Sequence, residues 1–442
     1  MRRAGRKGVA LIGAMTAAML LVSACSSSNS STSSGDQVTL KVRLFGTFGY
    51  KEAGLFTKYE SQHPNIKIDY TTVEQEATYW TALQTSLSSG AGLGDVQGIE
   101  VGRIAAVTAK LSDKFVDLNT LGASSLKDNF YSWKWQESMA GNKQLGLGTD
   151  VGPLAICYRT DLFKTAGLPT DPAQVSALWA NGWDGYVAAG QKYKAGAPAN
   201  SYWTDTAGGM FNAVIGQSTN QYYDASGKLI VSTNPAVKSA WDTSMKVAAG
   251  GLSAKLSQFS TGWNVAFTTG TFATIACPSW MVGYIKSEAG AMGGQWNIAS
   301  IPGGGGNWGG SYLGIPTASK HQKEAYDLIS WLTAAEQQAA IFKAVGNFPS
   351  NKVAAADPTV ASATDTYFSG GSPDPAKPVG APTGKIFGDS AAKLQPAILG
   401  EHDGDVKNAI STAITRVETG AQTPDAAWSQ LIGKDIPSAV GS

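Results

Sequence analysis

Val38, Leu40, Val42 and Leu44 alternate with polar residues, the period-two pattern of a half-buried strand, and lead into the turn Phe45-Gly46-Thr47-Phe48-Gly49-Tyr50. Leu55, Phe56 and Tyr59 then share a helical face that Pro64 ends. Alternation returns at Ile66, Ile68 and Tyr70, and a right-handed crossover makes the two strands parallel neighbours. A second helix carries Ala77, Trp80, Leu83 and Leu87; glycines at 90, 92 and 94 stop it, and Val96 to Val101 form a third strand. Such alternation predicts an α/β domain.

A second α/β set begins near residue 153, with a strand at Leu154 to Tyr158 and a short helix from Asp161 to Ala166 ended by Gly167. Ser201 to Gln217 is rich in aromatic and small residues and suits a pocket wall, and Asp242 to Ala249 is helical. Ala325, Leu328, Ile329, Leu332 and Ala339 predict one long amphipathic helix over 321–342. The Pro-, Gly- and Ser-rich region that follows Gly346-Asn347-Phe348-Pro349 and runs to about Gly384 is expected as surface loop. Val406, Ala409, Ile410, Ala413, Ile414 and Val417 define a helix, and Thr423-Pro424 starts another.

Between these sets, Thr271 to Ile315 carries the most suggestive chemistry. Phe272, Ala273, Ile275 and Ala276 make a buried strand that Pro278 ends just before Trp280. A large ring thus stands where chain leaves a sheet, a place where α/β folds bind ligands. Gly303 to Gly306 form a turn, and Asn307-Trp308-Gly309-Gly310 sets a second ring beside backbone free of side chains. Two indoles and bare peptide groups suit a sugar, whose C–H faces stack on rings while its hydroxyls need donors and acceptors. Trp296, alternating with Ile298, is read as strand core.

At 442 residues the chain exceeds what one core usually supports, so two domains are expected. Basic residues 2 to 7 and the apolar run Val9 to Val22 read as a signal peptide over 1–24; removing it takes the formal charge from +1 to −3. Nothing in that balance attracts nucleic acid. Ser26 to Gly35 is a polar tether, so 25–35 is a linker. Cys157 and Cys277 both lie in short apolar strands and are expected to pair in an oxidising compartment, with two buried thiols as the alternative. His63, His321 and His402 are scattered, so no metal and no cofactor is expected.

Catalytic motifs fail on inspection. Gly309-x-Ser311 has Leu313 where a nucleophile elbow needs glycine, Gly304-x-Gly306-x-x-Gly309 opens no helix, and Thr383-Gly384-Lys385 lacks the rest of a phosphate loop. Among the carboxylates, Asp95 is read as solvated, Glu100 as a ligand contact, and Asp150 as a ligand contact, a hinge neighbour or a cap of its Gly-rich turn. Paired carboxylates beside tryptophans keep an exported glycoside hydrolase as the alternative function.

Val22-Ser23-Ala24-Cys25 resembles the lipobox of bacterial lipoproteins, which implies cleavage before Cys25 and diacylglycerol on its sulfur. The blocks YESQHPNIKIDY, GDVQGIE, DVGPLAICYRTDLFKTAGLPTDP, GTFATIACPSWM, SYLGIPTASKHQKEAYDLISWLTAAEQQ and GNFPSN occur in that order across nearly the whole mature chain. Together they resemble the extracellular sugar-binding lipoproteins of bacterial ABC importers, of the maltose-binding and actinobacterial cellobiose-binding type. The resemblance implies a two-lobed periplasmic-binding-protein fold with crossing hinge strands, lobe one being 36–152 with 312–362 and lobe two 153–311 with 363–442. It also implies no enzyme activity, an oligosaccharide ligand such as cellobiose or cellotriose, importer permease subunits as partners, and a lipid anchor at the extracellular face of the cell membrane. The expected ligand contacts are Trp280, Trp308, the backbone of Gly309 and Gly310, Glu100 and Asp150, joined by Trp203 and Tyr50.

Overall fold

The first sheet has five strands in the order Ile66–Val73, Val38–Phe45, Val96–Glu100, Ser311–Gly314, Leu147–Gly148. Its first three are parallel, with Val38 opposite Ile66 and Val42 opposite Val96. Ser311–Gly314 runs antiparallel against Val96–Glu100, with Ser311 opposite Glu100. These positions come from a computed structural model that describes residues 37–372, 374 and 376–441. The signal peptide (1–24), Cys25 and the linker (25–35) lie outside the described residues. The chain divides at Asp36, and all that follows concerns the unit that starts at Gln37.

Four strands make the second sheet, in the order Trp296–Ser300, Leu154–Arg159, Phe272–Pro278, Tyr202–Thr204. Every residue of Leu154–Arg159 is buried, because both of its faces are covered. Leu154, Ile156 and Tyr158 pack into one cluster, and Ala155 and Cys157 into another. Such two-sided burial explains why this segment reads as a continuous apolar run.

Between the sheets the chain crosses more than once. After Leu147–Gly148 in the first sheet, Asp150–Val151 pairs with Phe348–Pro349, and the strand at Leu154 already belongs to the second. The return runs from Trp296–Ser300 through Trp308 to Ser311–Gly314. Trp308 N donates to Gly152 O at 2.8 Å, tying the outward and return crossings together.

Some elements differ from expectation. The 321–342 helix is two, Gln322–Leu332 and Ala335–Val345, with Thr333 between them turning its hydroxyl back onto Ile329 O. The segment expected as loop holds short helices at Lys352–Ala355 and Pro358–Ala361, and buries Val360 and Phe368. Asn351 and Asp357 each cap one of these helices through the side chain, so polar residues that suggested loop are helix starts. Asp95, expected in solvent, is buried and accepts hydrogen bonds from Lys41 N and Ser319 Oγ.

Cys157 and Cys277 form a disulfide, with Cα atoms 5.4 Å apart on adjacent antiparallel strands. Ile275 lies opposite Cys157 and Cys277 opposite Ala155, so the half-cystines are diagonal neighbours on one face. The bridge closes a separation of 120 residues, a large restriction on the unfolded chain. Replacing both cysteines by alanine is expected to lower the unfolding free energy by about 2–5 kcal/mol, read from the urea midpoint; an unchanged midpoint would contradict this.

Candidate functional site

A cavity of about 460 Å³ opens where both sheets direct their connecting loops. One wall comes from the ends of the three parallel strands: Phe45 to Phe48, Glu74 to Ala77, and Glu100. The other comes from the loop Lys255 to Phe259, from Trp280 and Tyr284, and from the polar face of the helix Asp403–Glu418. The crossing residues Asp150 and Trp308 to Ser311 form the floor.

Trp280, Trp308, Gly309, Gly310, Glu100 and Asp150, far apart in the chain, all line this one cavity. Trp280 stands at the first position before the helix Met281–Ala289, partly buried, and its indole Nε1 donates to Trp308 O at 2.8 Å. Phe259 stacks beside it with ring centroids 6.3 Å apart, and Trp308 meets it edge-on at 5.9 Å. Trp308 is only 8% exposed and packs into a core cluster, so its ring is mainly structural and Trp280 with Phe259 offers the apolar surface. Gly309 serves packing as well as access: its φ is +95°, and a Cβ there would stand 2.7 Å from Trp280 Nε1. The carbonyls of Gly309 and Gly310 accept from Asn307 Nδ2 and Val101 N.

Tyr50 and Trp203 are placed elsewhere. Tyr50 is 2% exposed and packs between Phe48 and Phe56; its turn reaches the cavity through Phe45 to Phe48 instead. Trp203, at 1%, sits inside the second sheet's core among Phe163, Tyr186 and Tyr193. Both were expected at the ligand because they are aromatic and near small residues, a signal that core rings share.

Phe259, which sequence reasoning missed, carries the site's backbone strain. It and Lys255 have φ of +63° and +58°, two of the three non-glycine positive values among the described residues. Two buried carboxylates hold the loop in that shape. Asp205 Oδ2 accepts from Gln258 Nε2 and Trp263 Nε1, both at 2.9 Å. Glu418 accepts from Ala207 N, Thr206 Oγ1 and Ser253 Oγ. Burial pushes Asp205 up to about 6.

The floor is more polar. Asp150 Oδ1 accepts from Thr149 Oγ1 at 2.6 Å and Ser311 N at 3.0 Å, and among the described residues Oδ2 has no hydrogen-bond partner. Burial raises its pKa, opposed by Lys134. Lys134, buried with its Nζ 3.8 Å from the Tyr312 ring centre, is lowered by the same desolvation. Glu100 caps the helix Val101–Lys110 by accepting from Gly102 N at 2.5 Å. Among the described residues no group of three His, Cys, Asp or Glu side chains is placed to hold a metal ion.

Residues 54–367 match the family described as bacterial extracellular solute-binding protein. The chain belongs to that family. Its members bind solutes and are not enzymes, so the hydrolase alternative is set aside. A crystal structure described as extracellular solute-binding protein family 1 is 40% identical, with a TM-score of 0.75 over 91% of this chain and 100% of that one. The ABC transporter associated binding protein of B. animalis subsp. lactis Bl-04, solved with β-1,6-galactobiose, has the same fold at 21% identity, with a TM-score of 0.75 over 91% of this chain and 98% of that one. The arabinooligosaccharide-binding protein of Bacillus subtilis (strain 168) is 25% identical over 334 residues, 72% of this chain and 74% of its own. The binding protein described here therefore has the two-lobed α/β fold of this family.

Burial pushes Glu137, which accepts a hydrogen bond from the Tyr312 hydroxyl beneath the site, up to about 7. The folded state thus holds that proton more tightly than the unfolded chain, where a glutamate titrates near ~4.3. Its contribution to stability is expected to fall as pH rises from about 4.3 to about 7, by up to ~1.4 kcal/mol per unit, and to level off above. Urea unfolding of wild type and Glu137→Gln at pH 5, 6, 7 and 8 checks this: the difference between the two should shift against wild type up to pH 7. A constant difference would contradict it.

Proposed function

We propose that this binding protein captures an oligosaccharide in the cavity beneath Trp280 and delivers it, unchanged, to the permease of an ABC importer. The observation that carries the reading is the pairing of the Trp280–Phe259 surface with a floor of amide N–H groups and carboxylate oxygens, which matches the apolar faces and hydroxyl edges of a pyranose. Glu74, Glu76, Glu100, Asp150 and Glu418 outnumber Lys255 and Lys407 around the cavity, which disfavours uronic acids and sugar phosphates. The names of the relatives, arabinooligosaccharide-binding and bound to β-1,6-galactobiose, support a ligand of this class. Within it we favour gluco-oligosaccharides such as cellobiose or cellotriose, on the likeness of the sequence blocks.

Closure of the lobes (36–152 with 312–362; 153–311 with 363–442) about the crossing segments would bury the sugar. Contacts that already span the walls include Arg103 to Asp405 at 3.1 Å and Asn264 Nδ2 to Glu74 Oε1 at 3.3 Å. Asp405 and Glu74 are well exposed, so each contact is a weak tie that a ligand's own contacts outweigh. Diacylglycerol on Cys25, with residues 26–35 as tether, would keep the protein at the extracellular face beside its permease.

A thermal-shift screen over cellobiose, cellotriose, maltose and β-1,6-galactobiose is expected to find a stabilising ligand, worth about 2.7 kcal/mol at a hundredfold its Kd. In calorimetry Trp280→Ala should weaken that ligand by about 1.5–3 kcal/mol, the loss of a buried aromatic face. Failure of every sugar to shift Tm, or wild-type affinity in Trp280→Ala, would sink the reading.

A further inference from the structure

Beside the main cavity lies a smaller one of about 70 Å³, which shares Glu100, Asn212, Trp308, Gly309 and Lys407 with it. Its lining pairs apolar Ile215, Ala397 and Leu399 with the polar groups of Asp403 and Tyr222. Asp403 is 5% exposed and accepts from Gly400 N through Oδ2 at 3.1 Å, while its enclosed Oδ1 has no partner. The Tyr222 hydroxyl, on a residue 4% exposed, makes no hydrogen bond to protein, and Lys407 forms no ion pair among the described residues. An unpartnered buried carboxyl oxygen costs stability, and a ligand hydroxyl pairing with that carboxyl group would offset part of the cost.

Size then restricts what can enter. A cavity of ~150 Å³ takes a benzene-sized molecule, so this one admits two or three heavy atoms and no sugar ring. An exocyclic hydroxymethyl arm has that size, with a CH₂ for the apolar part of the lining and a hydroxyl that can pair with the Asp403 carboxyl group and accept from Tyr222 or Lys407. We infer that this side chamber receives the hydroxymethyl group of a hexopyranose seated in the main cavity, so that the protein selects hexose-based over pentose-based oligosaccharides. The inference rests on the reading of the main cavity as an oligosaccharide site.

The test is calorimetric titration of the full mature chain with cellobiose, maltose and β-1,6-galactobiose against xylobiose, which lacks both hydroxymethyl arms. The tightest hexose disaccharide is expected to bind about tenfold better than xylobiose, the worth of one well-made buried hydrogen bond. Tyr222→Phe and Asp403→Asn, each checked for wild-type Tm, should remove most of that preference and leave xylobiose unchanged. Xylobiose binding as tightly as the best hexose disaccharide, or both variants keeping the preference, overturns the side chamber and leaves the main cavity standing. Binding of none of these sugars overturns the oligosaccharide reading, and this inference with it.

Discussion

Two strips of backbone pass each other between the sheets, and their contact decides where everything else stands. Trp308 N reaches Gly152 O at 2.8 Å, and a Cβ on Gly152 would lie 1.9 Å from Trp308 O. Any side chain at 152 would therefore push the strips apart. Asp150 reinforces the contact by accepting from Ser311 N, and the Trp280 indole closes it by donating to Trp308 O. The ring that offers the apolar surface is thus oriented by the same strips about which lobe closure is proposed.

Around that contact the molecule keeps several carboxylates out of water. Asp150, Asp205 and Glu418 are each buried and each hydrogen-bonded, and each organises a part of the cavity wall or floor. The strained residues Lys255 and Phe259 are held by the last two of these through Gln258 and Ser253. Backbone strain and buried charge both reduce stability, and here they occur together beside the cavity lined by Trp280, where pre-shaping for a ligand gives them a use. The disulfide between Cys157 and Cys277 and the two-sided core around Leu154–Arg159 supply compensating rigidity in the sheet behind it.

Much of the site was legible because its residues follow strand ends. Glu100 and Trp280 lie where an apolar run stops and Asp150 in the turn just before one, and positions at strand ends reach the crevice of an α/β fold. The helix Asp403–Glu418 shows the opposite case. Its apolar face, Val406, Ile410, Ala413 and Ile414, was plain, yet Lys407, Ser411 and Thr415 on the other face line the cavity. Polarity on a helix marks what is not core, and it does not separate bulk solvent from a ligand cleft. Phe259 was missed for a related reason: a lone aromatic in a polar loop has no period to betray it.

The sequence by itself determined the alternation of strands and helices, the parallel pairing of the first two strands and the collection of tryptophans near glycine turns, because these are local patterns of burial and backbone freedom. Only the tertiary structure decided which rings face the cavity: Tyr50 and Trp203 went inward, Trp308 nearly so, and Trp280 stayed accessible beside Phe259. An aromatic side chain satisfies a core and a sugar with the same apolar face. Which of the two it meets depends on where distant strands bring their ends together.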